Sequence, residues 1–193
     1  GFGVVAVLLT SYRLALLQQR QTAMQQRLGS LADELHHRAR TDALTGLGNR
    51  LALVEAIERL LGASATTATV HAFYVDVDDF KTVNDTLGHE TGDLLLRRTA
   101  ERLVAVVGDA TYRVGGDEFV ALTSGLSQRE STEVAQAIVD VAVDTVEVDG
   151  VAVSARLSVG VAHADAGIDA PRSGDELLQM ADLALNRAKE LGR

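Results

Sequence analysis

The sequence predicts an α+β fold in which helices cover a mainly antiparallel sheet, preceded by a separate N-terminal helix. Two observations predict it: helical periodicities alternate along the chain with short runs of branched and aromatic residues, and glycine-containing turns join those runs in pairs. Such turns connect antiparallel neighbours, so hairpins build the sheet. A length of 193 residues suffices for one domain and an appendage, and a hydrophobic content of 47% supplies a packed core.

The first twelve residues are apolar and uncharged. They are followed by Arg13, Arg20 and Arg27, a basic flank typical of the cytoplasmic end of a transmembrane helix. Since a helix needs about 20 apolar residues to span a bilayer, and the chain lacks an initiator methionine, we expect residues 1–12 to be the end of a membrane helix. The alternative is an apolar helix end packed against a neighbouring domain.

Residues 13–40 carry a heptad pattern. Core positions that alternate three and four residues apart are occupied by Leu14, Leu17, Gln21, Met24, Leu28, Leu31 and Leu35. This pattern predicts a signalling helix that forms a two-stranded coiled coil, and therefore a homodimer. A single amphipathic helix lying on the domain is the alternative. The globular domain is then residues 41–193.

The elements of that domain follow one another from Asn49 onward. Asn49 is a favourable helix N-cap, and two capping boxes, Ser127 with Glu130 and Ser173 with Glu176, predict the starts of two later helices. In chain order, the predicted elements are a helix at 49–61, a buried strand at 69–75, a helix at 90–107, strands at 110–114 and 119–123 joined by Gly115-Gly116, and a strand pair turning at Asp149-Gly150 with 151–162 as its longer arm.

Composition excludes several classes of function. The 18 Lys and Arg residues against 27 Asp and Glu give a net charge of -9, which argues against a nucleic-acid partner because such binding needs clustered basic residues. The chain has no cysteine, so disulfides, thiol nucleophiles and cysteine zinc sites are excluded. Neither of its lysines, Lys81 and Lys189, follows a glycine, so there is no Gly-Lys-Ser/Thr phosphate loop.

Two acidic clusters lie at predicted strand ends. The first, at 76–79, follows the strand 69–75, and the second, Asp117-Glu118, lies at the tip of the glycine hairpin. Carboxylates packed together repel one another unless a cation shares the site, and hard divalent ions prefer oxygen ligands. If the two strands are neighbours, Asp76 and Asp117 face one another and can hold one or two magnesium ions. Taken singly, each cluster is as well explained as a solvated turn.

The run Arg113-Val114-Gly115-Gly116-Asp117-Glu118-Phe119 resembles the signature of the GGDEF family of diguanylate cyclases, and the resemblance extends from Asp42 to Arg193. Further runs match the family in order: 42–50 (DALTGLGNR), 76–81 (DVDDFK) with Asn84-Asp85, 88–93 (GHETGD), 158–162 (SVGVA), and Ala181-Asp182 with Ala188-Lys189 and Gly192-Arg193. The resemblance implies a sandwich similar to nucleotide cyclases and polymerase palms, with a βααββαβ core. It also implies a dimer that condenses two GTP, one per subunit, into cyclic di-GMP and two pyrophosphates.

The resemblance implies roles for the matched residues. Asp76, the carbonyl of Val77 and Asp117 would bind Mg²⁺, with Mn²⁺ as the alternative ion. Asp117 and Glu118 would be the catalytic carboxylates, Glu118 assisting either the metal or the 3'-hydroxyl. The implied substrate contacts are the backbone of Asp79, Phe80 and Lys81 to the terminal phosphates, Lys189 and Arg193 to phosphate oxygens, and Asn84 and Asp93 to guanine.

Two positions depart from the family pattern. Many members carry an inhibitory product site whose Arg lies nine residues before the first signature glycine; here that position is Val106, while Asp109 is retained. Valine cannot make the bidentate contact of Arg, so we expect this inhibitory site to be degenerate and product inhibition through it to be weak or absent. Asn186 replaces the usual Tyr, a change expected to affect packing.

Two other classes of function compete with a cyclase. A GTP-binding regulator without turnover would be expected to lack Asp76, Asp117 or Glu118, and all three are present. A purely structural dimerisation module would leave the clustered carboxylates unexplained. The expected partners are GTP, a second copy of the chain and an upstream membrane or sensor region. The catalytic domain is expected in the cytoplasm, tethered to the inner face of the cell membrane.

Overall fold

The computed structural model describes residues 18–21, 23–31, 34–36, 38–63, 68–141, 146–148, 151–165 and 173–191. The chain divides into two units, Gly1–Ala39 and Arg40–Arg193. In the first unit the described residues are helical and their side chains are exposed. Over the described ranges, no helix has both the length and the apolar character needed to cross a membrane. The predicted membrane end at 1–12 and parts of the helix predicted at 13–40 lie outside the described residues.

The second unit is built from helices and two antiparallel sheets. Its elements in chain order are α1 (Arg50–Ala63), β1 (Val70–Val77), α2 (Phe80–Leu87), α3 (His89–Val107), β2 (Thr111–Arg113), β3 (Glu118–Ser124), α4 (Gln128–Val141), β4 (Val146–Val148), β5 (Val151–Val153), β6 (Leu157–Ala164) and α5 (Gly174–Glu190). The main sheet has the order β2-β3-β1-β6, and β4 pairs with β5 in a second sheet. The α+β class and the βααββαβ order are confirmed, with α1 and α5 added at the ends and the β4-β5 pair inserted before β6.

β1 lies inside the main sheet, between β3 and β6. Its sequence, VHAFYVDV, is rich in branched and aromatic residues and is mostly buried, as expected of a strand covered on both faces. In the antiparallel register with β3, Val70 lies opposite Ser124 and Asp76 opposite Glu118. This register places the first acidic cluster directly beside the second.

Helices cover both faces of the main sheet. On one face, α3 and α4 close a core that contains the buried side chains Phe73, Val75, Val77, Leu96, Leu103, Phe119 and Ile138. On the other face, α1 and α5 close a core that contains Leu53, Ile57, Ala72, Val120, Ala162 and Leu177. Successive strand residues point to opposite faces, so β1 contributes to both cores. Each fully buried side chain of this size stabilises the fold by about 1.5–3 kcal/mol relative to an exposed one.

The predicted helix starts are confirmed. Asn49 Oδ1 accepts hydrogen bonds from two backbone N–H groups of the first turn of α1, at 3.0 and 3.3 Å. The backbone N–H of Ser127 donates to Glu130 at 2.8 Å and Ser127 Oγ accepts from the Glu130 N–H at 3.3 Å, which is the reciprocal capping box. Ser173 Oγ accepts from the Glu176 N–H at 3.2 Å at the start of α5.

Two predicted strand boundaries are wrong. β1 continues through Asp76 and Val77, so the first acidic residue lies within the strand and not after it. The single arm predicted at 151–162 is two strands, since β5 ends at Val153 and β6 begins at Leu157. The chain leaves one sheet for the other between them, because β5 pairs with β4 whereas β6 pairs with β1. The turn predicted at 149–150 lies outside the described residues.

Candidate active site at the end of the main sheet

The two acidic clusters meet at one end of the main sheet. Asp76 of β1 lies opposite Glu118 of β3, and side chains directly opposite in a sheet point to the same face. The backbone N–H of Val77 donates to the carbonyl oxygen of Asp117 at 3.1 Å, which holds the tip of the hairpin against the end of β1. The two strands are therefore the neighbours that a shared cation site requires.

The carboxylates of this cluster oppose one another's ionisation. Burial, and then the charge of Asp76, raise the pKa of Asp117 above its ordinary value. Burial also raises the pKa of Glu118; a hydrogen bond from Tyr74 lowers it, and the charges of Asp76, Asp117 and Asp182 raise it further. A bound cation would relieve this repulsion, since an opposite charge favours the ionised forms.

Lys189 supplies a cation to the cluster from α5. Its Nζ lies 2.6 Å from Asp76 Oδ1, with the carboxylate largely buried and the ammonium group partly exposed. The sequence predicts that Lys189 contacts a phosphate, whereas the structure places it on a predicted metal ligand.

The oxygen donors at this end of the sheet fit a hard divalent cation. Carboxylates from Asp76 and Asp117 and the carbonyl of Val77 are the ligand types that magnesium prefers. Within the part of the chain that the structure describes, no three His, Cys, Asp or Glu side chains form a metal-holding group. The predicted set differs from such a group because one of its ligands is a backbone carbonyl. A cation bound there would oppose the burial and the Asp76 charge that raise the pKa of Asp117.

The signature hairpin is anchored to the loop that enters the domain. Arg113 donates from Nη1 to Asp42 Oδ1 at 2.9 Å and from Nη2 to the carbonyl oxygen of Gly116 at 2.7 Å. The backbone N–H and the hydroxyl of Thr45 also donate to Asp42. Burial opposes ionisation of Asp42, but the hydrogen bonds from Thr45 and Arg113 outweigh burial and lower its pKa. Asp42 and Arg113 therefore fix the hairpin that carries Asp117.

The predicted phosphate contacts lie at the turn from β1 into α2. Asp79, the residue before α2, has a φ of 57°, and it is the one non-glycine residue with positive φ in the described ranges. Its carbonyl accepts from two backbone N–H groups in the first turn of α2. Asp79 and Lys81 are exposed, whereas Phe80 packs partly against the core. The backbone at 79–81 is thus held in a tight turn next to Asp76.

Asp78, in the same turn, has a structural role that the sequence does not reveal. It is 5% exposed, Ser158 Oγ donates to its Oδ1 at 2.8 Å, and its own N–H donates to the carbonyl oxygen of Arg156. These bonds tie the turn to the start of β6. The run of carboxylates around Asp78 gives no signal that distinguishes it from Asp76.

The predicted guanine contacts lie at the junction of α2 and α3. Asn84 lies against Gly92, the residue before Asp93, so closely that a Cβ on Gly92 would overlap Asn84 Oδ1. Asn84 Oδ1 is buried and has no hydrogen-bond partner among the described residues. Gly88, with a φ of 85°, turns the chain between the two helices. The positive φ at Gly88 thus makes the turn, and the missing side chain at Gly92 permits the close approach of Asn84 to α3.

The remaining positions that the sequence singles out are Val106, Asp109, Asn186 and Arg193. Val106 packs partly buried against the core, and Asp109 is exposed. Asn186, in the place of the usual Tyr, is exposed and donates to Asp182 one turn earlier at 3.4 Å. Arg193 lies outside the described residues.

Tyr74 is a site residue that the sequence does not single out. Its hydroxyl donates to Glu118 Oε2 at 3.3 Å. Burial, then the charges of Glu118 and Asp182, raise its pKa to about 12. The available signal was its spacing, because a residue two positions before Asp76 in a strand points to the same face.

Comparison with known proteins identifies the family. The family model for the diguanylate cyclase GGDEF domain matches residues 39–193. The coiled coil and GGDEF domain of DgcB from Caulobacter crescentus, solved in complex with c-di-GMP, is 28% identical, with a TM-score of 0.83 over 93% of this chain and 96% of that one. The chain belongs to the GGDEF domain family.

Two curated relatives show the range of proteins in which such a domain occurs. The diguanylate cyclase DosC of Escherichia coli K12 is 35% identical over 186 residues, which cover 92% of this chain and 40% of DosC. The cyclic di-GMP phosphodiesterase NbdA of Pseudomonas aeruginosa is 32% identical over 189 residues, which cover 91% of this chain and 23% of NbdA. The chain thus spans less than half the length of either relative.

Proposed function

We propose that this chain is a diguanylate cyclase domain that condenses two GTP into cyclic di-GMP and two pyrophosphates. The observation that carries the proposal is the meeting of Asp76 and Asp117 at adjacent strand ends, with Lys189 on the same carboxylate. Phosphoryl transfer needs oxygen ligands for a metal ion and a basic side chain close to one another. Membership of the GGDEF family and similarity to DosC support the same reaction class.

Each reacting atom has a proposed protein contact. Asp76, Asp117 and the carbonyl of Val77 would hold Mg²⁺, or Mn²⁺ in its place; such an ion offsets phosphate charge and activates the attacking oxygen. The 3'-oxygen of one GTP attacks the α-phosphorus of the other, and the bond to pyrophosphate breaks. Glu118, beside Asp117, assists the ion or accepts the hydroxyl proton. Lys189 exchanges Asp76 for a phosphate oxygen when the nucleotide arrives.

The proposed base is guanine. Asn84 Oδ1 is a buried acceptor without a partner in the described part of the chain, so a ligand that donates a hydrogen bond there would satisfy it. Asp93, next to Gly92, adds a carboxylate acceptor. Guanine presents a ring N–H and an amino group to such acceptors, whereas adenine lacks the ring donor. The backbone at 79–81 would hold the terminal phosphates, with Arg193 as a further cationic contact.

The active form is proposed to be a homodimer with one GTP per subunit. Four apolar side chains of the N-terminal helix are more than half exposed, at the spacing of a coiled-coil core: Met24, Leu28, Leu31 and Leu35. A second copy of the helix would bury this stripe. In this arrangement the preceding residues link the dimer to a membrane or sensor region.

Product inhibition through the family's primary site is proposed to be weak. The family's site pairs an Arg with an Asp. In this chain Val106 occupies the Arg position and packs against the core, so only Asp109 of the pair is retained. Initial rates measured with added cyclic di-GMP are expected to stay flat. A saturable inhibition that Asp109→Ala abolishes would contradict this proposal.

The function is tested by the products formed from single and mixed nucleotides. The chain is incubated with Mg²⁺ and GTP, ATP or both, and products are identified by chromatography with mass detection. Cyclic di-GMP and pyrophosphate from GTP alone, with no adenine-containing product, are the expected result. Binding of GTP without any product would favour the alternative, a GTP-binding regulatory domain.

A further inference from the structure

Tyr74 and Glu118 form a pair beside the proposed metal ligands. Tyr74 lies on β1, two residues before Asp76, and Glu118 is the first residue of β3, opposite Asp76. Both side chains therefore project from the same face of the sheet. The Tyr74 hydroxyl donates to Glu118 Oε2 at 3.3 Å. Neither side chain is fully buried.

The position of Glu118 is restricted from a second direction. A Cβ placed on Gly115 would come within 2.5 Å of Glu118 Oε2, so the same oxygen lies between the Tyr74 hydroxyl and the backbone of the signature loop. Tyr74 and Glu118 also line one cavity of about 420 Å³, together with Arg50 of α1 and Asp182 of α5. The charge of Asp182 opposes ionisation of Glu118.

We propose that Tyr74 is a positioning residue that orients the catalytic carboxylate of Glu118 by holding Oε2, which leaves Oε1 for the metal or the 3'-hydroxyl. The hydroxyl of Tyr74 acts through Glu118 and does not touch the substrate. A hydrogen bond to a charged acceptor is worth more than one between neutral groups, and a carboxylate held in one orientation loses less entropy in the transition state. This inference rests on the proposed cyclase function.

The test compares Tyr74→Phe with Tyr112→Phe. Each variant removes one hydroxyl from a partly buried tyrosine, but the ring of Tyr112 lies against Gly48, and among the described residues its hydroxyl makes no hydrogen bond to Glu118. With GTP and Mg²⁺, we expect kcat of Tyr74→Phe to fall by about tenfold and its KM for GTP to stay within about twofold, the loss appropriate to one charged hydrogen bond used in the reaction. Tyr112→Phe is expected to retain the wild-type kcat.

A second comparison separates positioning from a general structural effect. Glu118→Asp keeps the carboxylate but shortens it, so the Tyr74 hydroxyl no longer reaches it. In this background Tyr74→Phe is expected to cause no further loss of kcat, because the pair acts as one unit. The same tenfold loss in both backgrounds, or an unchanged kcat in Tyr74→Phe alone, would overturn the positioning role.

The failures of the two proposals can be told apart. An active wild type with an equally active Tyr74→Phe variant overturns the positioning role and leaves the cyclase intact. A wild-type chain that makes no cyclic di-GMP under any condition overturns both. Thermal unfolding of Tyr74→Phe measured beside wild type shows whether a lower kcat reflects loss of folded protein.

Discussion

At the scale of single residues, the carboxylate of Asp117 is expected to reduce stability in the absence of metal. The pKa of Asp117 is higher in the folded than in the unfolded chain. Asp117 therefore loses its proton more readily when the chain is unfolded, and a rise in pH above its ordinary pKa lowers the free energy of unfolding. The destabilisation grows as the pH rises from the ordinary pKa and is complete above the folded pKa. A cation at the site reverses it by favouring the ionised form.

Asp117→Asn is expected to separate stability from activity. Without metal at neutral pH, its thermal midpoint rises slightly above that of wild type, while turnover of GTP falls by about 100-fold or more because a metal ligand is lost. Added Mg²⁺ raises the midpoint of wild type but not of the variant. Glu58→Gln, which neutralises an exposed carboxylate on α1, is the control and leaves both properties unchanged. A Mg²⁺-dependent midpoint that survives in Asp117→Asn would contradict the assignment.

Asp42 is expected to show the opposite pH dependence. The pKa of Asp42 is lower in the folded than in the unfolded chain. The ionised carboxylate therefore stabilises the fold at pH values above its ordinary pKa, and this stabilisation is lost as the pH falls through the folded pKa. We expect Asp42→Ala to reduce the free energy of unfolding at neutral pH by about 1–3 kcal/mol, since the donors on Thr45 and Arg113 lose a charged acceptor. Urea denaturation measures this difference.

The pH series provides the control for Asp42. The difference between Asp42→Ala and wild type should shrink towards about pH 3, where the carboxylate is protonated in the unfolded chain. Glu58→Ala removes an exposed carboxylate from α1 and should change little at either pH. A difference for Asp42→Ala that is constant with pH would show that the ionised carboxylate is not the source of the stability.

Single residues also show how far the sequence predicts the site. Asp76 and Asp117 could be paired from the sequence. Asp76 follows one predicted strand and Asp117 precedes another, and antiparallel pairing brings the end of the first beside the start of the second. The spacing of Tyr74 from Asp76 indicates a shared face of the strand, but the partners of Tyr74 and Ser158 depend on the register between strands, which the sequence does not provide. Lys189 was expected to contact phosphate oxygens, and its bond to Asp76 could not be predicted because it depends on where α5 packs.

At the scale of elements, the packing of α5 on β6 depends on Gly160. A Cβ at this position would overlap the backbone N–H of Leu185 and the carbonyl oxygen of Ala181, and helix backbone cannot move aside as a side chain can. α5 carries Lys189 and Asp182, so a displaced helix also disturbs the candidate site. Gly160 is thus required for close packing of helix on strand.

Gly160→Ala is expected to destabilise the domain by about 2–4 kcal/mol, the range for severe overpacking. Gly62→Ala is the matched control: Gly62 lies in α1, a Cβ there meets nothing within 4 Å, and alanine favours the helix by about 0.5–1 kcal/mol. Chemical denaturation should therefore move the two variants in opposite directions. Equal stability of Gly160→Ala and wild type would contradict the packing described for α5.

Elements with their own local signals were predicted, and those without were not. The starts of α1, α4 and α5 follow from capping residues, and the β2-β3 hairpin follows from its glycines. The eight residues of α2 are too few to show a helical period, and they were not predicted from the pattern. The break between β5 and β6 depends on which strands pair, which residue propensities do not encode.

At the scale of the whole molecule, dimerisation is the proposed control of activity. Replacing Leu28 and Leu31 with Asp places charges on the exposed apolar stripe and should weaken association of the helices. We expect the activity per subunit to fall by about tenfold or more at low protein concentration, because one subunit cannot align two nucleotides. Light scattering after size exclusion measures the dimer, and circular dichroism checks that the domain remains folded.

The control for this prediction adds the same charge elsewhere on the helix. Gln19 and Gln26 are exposed and lie outside the predicted core positions of the heptad, so replacing both with Asp should leave dimer and activity unchanged. An unchanged rate in the Leu28 and Leu31 variant, measured across protein concentrations, would contradict the coiled-coil part of the proposal.

The measurement that tests the central claim most directly is turnover of GTP by wild type and Asp117→Ala side by side. Both are incubated with Mg²⁺ and GTP over a range of protein concentrations, and cyclic di-GMP and pyrophosphate are quantified by mass detection. We predict product from wild type, rising per subunit with concentration, and none from Asp117→Ala, which remains folded and dimeric. Equal product from both would contradict a catalytic site at Asp76 and Asp117, and no product from either would contradict the cyclase itself.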